Sequence, residues 1–162
     1  MNSTPENLMM TAKGFAISAT RLRHSGEAPV HDLAILHLCC TSIELSLKAW
    51  IRWRGGSNKD IRQIGHNLGR AYDEAVQLGL VDQSGSVGEA IRRLSPVYSS
   101  HFTRYFPEQQ GFTALTPDSL VRLAQAVSSA VETDIWPSDE KPAPANRSGP
   151  DSGTFRLDAW GR

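Results

Sequence analysis

One stretch of this chain, residues 33–54, restricts its fold more than any other. At 100° per residue, Leu33, Leu36, Cys40, Ile43, Leu47, Trp50 and Ile51 fall on one apolar stripe. Ala34, Leu38, Leu45 and Ala49 form a second stripe on another side. A helix apolar on two sides belongs at the centre of a helical bundle, surrounded by other elements. The spacing predicts a helix from about Val30 to Arg54, stopped by Gly55-Gly56. One polar line interrupts it: His37, Thr41, Glu44 and Lys48, spaced four, three and four.

Glu44 and Lys48 stand acid-first at i, i+4, the favourable order on a helix. Charges drawn toward a core are costly unless paired. Two readings of the line stand side by side. It is a structural ion pair that orients helices, or it borders a cleft where a ligand or an RNA phosphate meets the bundle.

Other helices are predicted around this one. Ser3-Thr4-Pro5-Glu6 supplies a cap, a proline at the first helical position and an early acid. Leu8, Ala12, Phe15, Ala19 and Leu22 then line one face, and Gly26 and Pro29 end that helix. Ser57-Asn58-Lys59-Asp60 opens another, with Ile61, Ile64, Leu68, Tyr72, Ala75 and Leu78 in a stripe ended by Gly79. Ser86-Val87-Gly88-Glu89 has capping-box spacing, and the stripe Val87, Ile91, Leu94, Tyr98, Tyr105 runs on to Pro107. Ser95-Pro96 is expected to kink or split that helix. Thr116-Pro117-Asp118 starts the last, with Leu120, Leu123, Val127, Val131 and Ile135 on one face. No segment alternates like a strand. The expected fold is all-α, a mostly antiparallel bundle of four to five helices over residues 4–136.

Residues 137–162 differ in kind. Four Pro, three Gly and three Ser sit among eight charges that cancel, and apolar residues show no period. Such a segment is expected to be a disordered tail, with Phe155, Leu157 and Trp160 as a candidate docking motif.

Charge and composition narrow the function. Lys plus Arg and Asp plus Glu are each 17, so the formal net charge is zero. A dedicated duplex-DNA binder is not expected on that balance. No run approaches the ~18 uninterrupted apolar residues of a membrane span, and the N-terminus lacks a signal-peptide layout. With only Cys39 and Cys40, adjacent, no disulfide framework is expected, and a reduced cytoplasmic setting follows. His37 and Cys40 share helical spacing but no third or fourth metal ligand joins them, so neither metal nor cofactor is expected. Lys48, Arg52, Arg54, Lys59, Arg62 and Arg70 face one acid, Asp60, with Trp50 and Trp53 interleaved. Basic groups among aromatics suit single-stranded RNA.

Glu44-Leu45-Ser46-Leu47-Lys48-Ala49, followed some twenty residues on by Gly65-His66-Asn67-Leu68, resembles the E-L-x-L-K-A and G-H-[DN]-L motifs of the HEPN superfamily. The resemblance covers about residues 30–105. It implies an α-helical bundle, usually a homodimer, from toxin–antitoxin, defence or stress-regulation systems, with a nucleotidyltransferase-type or antitoxin partner. Many such domains are metal-independent ribonucleases, whose arginine and histidine have four to six residues between them on a late helix. Here His101 follows Arg93 by seven intervening residues, outside that spacing. The ribonuclease reading rests on His101 as general acid/base, with Arg93 or Arg104 holding phosphate and Tyr105 contacting phosphate or base. The interaction reading places ligand or RNA contacts at Glu44, Lys48, His66, Asn67, Tyr105, Arg52 and Arg62.

His66 has two settings. In an unbroken helix it faces outward beside Arg62 and Arg70. If Gly65 breaks the helix, Asn67 caps a new one and His66 reaches the Glu44–Lys48 line. The resemblance favours the second, because the G-H-[DN]-L step begins a helix.

Overall fold

The computed structural model describes residues 4–25, 32–81, 85–100 and 115–136. Six α-helices account for them: α1 (Pro5–His24), α2 (Asp32–Trp53), α3 (Asn58–Ile64), α4 (Leu68–Gln77), α5 (Ser86–Ser99) and α6 (Pro117–Ile135). The fold is all-α, and there is no strand among the described residues. The proposed docking motif near the C-terminus lies outside them.

The helix starts follow their side-chain chemistry. Thr4 Oγ1 accepts from the Asn7 amide at 3.2 Å ahead of Pro5. Ser57 and Asp60 form a reciprocal capping box, at 3.2 and 2.7 Å. Thr116 accepts from the Ser119 amide ahead of Pro117. Each satisfies amides that the first helical turn leaves without partners.

α2 is the central helix and packs against all five others. Residues 46–51 are six successive buried positions, and 42–44 are buried too. The second apolar side is less complete than the periodicity predicts: Ala34 is exposed, Leu38 and Leu45 are half-buried, and only Ala49 is enclosed. What closes the helix instead is a pair of small residues, Ser42 and Ser46, both fully buried, which let neighbours approach. By length and composition α2 is apolar enough to cross a membrane, with a mean hydropathy of 1.3 over its best window. That window is 72% buried inside the bundle, as a core helix should be.

One expectation is corrected, and two that stand as alternatives are narrowed. Gly65, at φ 60°, ends α3, so the stripe from Ile61 to Leu78 belongs to two helices. Such a backbone angle is cheap only for glycine. The capping box predicted at Ser86 does not form. Gly85, in the left-handed region at φ 66°, is the cap residue and Ser86 is already helical. Two residues on, Gly88 lies against the Tyr72 ring so closely that a Cβ there would lie 2.6 Å from it. Finally, Pro96 does not split α5, which continues to Ser99. The proline costs the one hydrogen bond that an N–H at 96 would make to the Arg92 carbonyl, and only a single turn of helix follows it. The predicted continuation to Pro107 lies outside the described residues.

Candidate functional site

The polar line on α2 meets the α3–α4 junction and the end of α5. Lys48 Nζ donates to Glu44 Oε1 at 2.6 Å, with side chains only 10% and 6% exposed. Tyr98, in the last turn of α5, donates its hydroxyl proton to Glu44 Oε2 at 2.6 Å. His66 turns Nδ1 to within 3.0 Å of the same oxygen. Its side chain is 46% exposed, so the imidazole spans the buried carboxylate and the surface. Thr41 Oγ1 lies 3.3 Å from the Tyr98 hydroxyl, and its own proton goes to the His37 carbonyl. The His37 and His66 rings flank Tyr98 at 6.1 and 6.0 Å between centroids.

The turn at Gly65 makes this possible. Asn67 Oδ1 caps α4 by accepting from the Arg70 amide at 2.9 Å. Ser95 of α5 donates to that same oxygen and accepts from the Gly69 amide, both at 3.1 Å. The Gly65-His66-Asn67-Leu68 step is thereby fixed to α5 on one side and to Glu44 on the other. Of the two settings for His66, the structure takes the one with a broken helix.

Electrostatics explain why the carboxylate stays charged. Burial pushes the Glu44 carboxyl up, and hydrogen bonds from Lys48, Tyr98 and His66 more than offset this, leaving it below its ordinary value. Burial and the neighbouring carboxylate push the Tyr98 phenol far up, so it is a donor at neutral pH. Burial alone raises the Cys39 thiol to about 12, and Cys40 goes higher still. Neither cysteine suits nucleophilic chemistry.

The remaining candidates are dispersed. Arg52 donates to the Gly56 carbonyl at 2.5 Å and closes the end of α2. Arg62 and Arg70 are exposed on either side of His66 in sequence, and Arg70 also holds the Gln63 carbonyl at 3.0 Å. Arg54 lies over the Trp50 and Trp53 rings at 5.7 and 5.5 Å and donates to the Leu78 carbonyl at 2.8 Å. Beside it an open groove of about 620 Å³ runs between Trp53 and Gly79. Lys48, grouped by sequence with the basic surface, is instead buried and paired. Arg93 is exposed and ion-paired with Glu89 one turn before it. His101, Arg104 and Tyr105 lie outside the described residues. Among the described residues no three His, Cys, Asp or Glu side chains gather to hold a metal ion.

Sequence reasoning missed Tyr98 as a partner of Glu44, assigning it to the apolar stripe of α5. The available signal was its hydroxyl, which needs a hydrogen bond wherever the ring is buried.

Compared with known proteins, the chain matches no family model, no curated protein and no solved structure.

Proposed function

We propose that this chain is a HEPN-like helical interaction module that contacts single-stranded RNA through His66, without cleaving it. The observation that carries this reading is the Glu44–His66 contact. The two stretches behind the HEPN resemblance, some twenty residues apart along the chain, meet at one carboxylate. That carboxylate orients an imidazole whose side chain is 46% exposed. The His66 ring held in this way stands between Arg62 and Arg70 in sequence, both exposed, which supply positive charge to a phosphate. Glu44, Lys48 and Tyr98 satisfy one another internally, which makes them the support of the site and not its reacting groups. The resemblance adds the setting: a homodimer in a toxin–antitoxin, defence or stress-regulation system, with a nucleotidyltransferase-type or antitoxin partner.

The test is one set of reactions with purified protein in EDTA, following both binding and cleavage of a fluorescent single-stranded RNA. Binding without cleavage, weakened by His66→Ala, is the expected result. Cleavage by the wild type and not by His101→Ala, with equal helicity, overturns it in favour of the metal-independent ribonuclease that uses His101 with Arg93 or Arg104. Absence of RNA binding at low salt overturns it as well.

A further inference from the structure

The outer face of α1 carries a pattern that nothing among the described residues uses. Met10 is 59% exposed and Ile17 48% exposed, large values for such side chains on a helix whose other side is core. Between them stands Gly14, where a Cβ would meet nothing within 4 Å. Glycine inside a helix is unfavourable, and no contact within the described residues calls for it here. Glu6 and Arg21, both exposed, extend the same line by four residues at each end. No ion pair among the described residues uses either.

The line is symmetric. The pairs Glu6 with Arg21, and Met10 with Ile17, are centred on one point between Lys13 and Gly14. A second α1 laid antiparallel about a two-fold axis there sets Glu6 against Arg21 at both ends. It also sets Met10 against Ile17 twice. An interface between identical copies must be self-complementary in just this sense. At the axis, Gly14 leaves room for the partner helix. Lys13, the residue that would obstruct it, is drawn aside by Glu132, 2.7 Å from its Nζ.

We infer that this face of α1 is where two copies of the chain associate, antiparallel, with acid opposite base and methionine opposite isoleucine. The inference rests on the reading of the chain as a homodimeric interaction module, and oligomeric state reports on it separately from RNA binding. One helix seam is smaller than the usual stable interface, so a dimer in the micromolar range is expected.

Sedimentation equilibrium from about 1 to about 300 μM covers that range. The wild type should dimerise, and Ile17→Glu should weaken the dimer by about tenfold or more, because it puts a charge against apolar surface. Glu6→Arg and Arg21→Glu should each weaken it severalfold, and the double variant should regain affinity. That recovery separates pairing across the interface from simple helix-end effects, which the double variant keeps. All these positions are exposed, and circular dichroism checks that helicity is unchanged. A wild type that stays monomeric throughout overturns the inference. So does a dimer indifferent to Ile17→Glu, or charge reversals that do not rescue one another.

Discussion

Tyr98 and Glu44 stand 54 residues apart in sequence, and the phenol donates to the carboxylate at 2.6 Å inside the bundle. This bond ties the end of α5 to the middle of α2. Tyr98→Phe leaves the ring and removes only the hydroxyl, so it should destabilise by about 1.5–3 kcal/mol, the range for hydrogen bonds to a charged group. Glu44→Ala also strands the buried Lys48 ammonium and should cost more, about 3–5 kcal/mol. Urea denaturation of the two variants checks the order, and equal losses would contradict it.

The same carboxylate makes stability depend on acid. Its folded pKa lies below the unfolded value, despite burial, because Lys48, Tyr98 and His66 hold the charged form. A group of this kind stabilises above the unfolded pKa, about 4.3 for glutamate, and the stabilisation is lost as pH falls through the folded value. Wild-type melting temperature should therefore fall more steeply below about pH 4.3 than that of Glu44→Gln. The exposed Asp60 and Asp118, whose pKa values are also lowered, are common to both proteins and cancel in the comparison. Parallel curves would show that Glu44 is not the group responsible.

Much of this bundle could be read in the sequence, and the exceptions have physical causes. The apolar face of α6 is buried at each predicted position, from Leu120 to Ile135. Thr4, Ser57, Asn67 and Thr116 all cap helices, since capping depends on a few adjacent residues. Glu44, Lys48 and His66 converge as one of the two readings had them. Tyr98 and Ser95 escaped notice because their partners come from distant helices, and a stripe pattern records only that a residue is inside. Ser86 was misread because its spacing to Glu89 marks a helix start only to within a residue, and the cap fell one position earlier, at Gly85.

The close packing of Gly88 on Tyr72 gives a prediction whose sign is unusual. Alanine normally stabilises a helix relative to glycine by about 0.5–1 kcal/mol. At Gly88 the new Cβ would lie 2.6 Å from the Tyr72 ring, so Gly88→Ala should destabilise by about 1–3 kcal/mol as α5 is pushed away. Gly14→Ala, facing open space, should do the reverse in monomeric protein. A thermal melt of each variant at low concentration distinguishes the two signs.

Ser42 and Ser46 are fully buried, and their hydroxyls have no hydrogen-bond partner among the described residues. Removing a buried unsatisfied polar atom relieves its desolvation, and alanine is the better helix former. Ser46→Ala should raise stability by about 1 kcal/mol or more. A decrease would mean that the hydroxyl is satisfied in solution.

His66, held by Glu44, is the group proposed to meet RNA. The direct measurement is a titration of the protein with a short single-stranded RNA, following the His66 ring resonances by NMR, with His66→Ala to assign them. The His66 signals should move with occupancy, and the affinity should fall with salt. Substituting Arg62 or Arg70 should lower the logarithmic salt slope by about 0.7 each. RNA that binds while the His66 resonances stay in place, or that does not bind at all, would contradict the account.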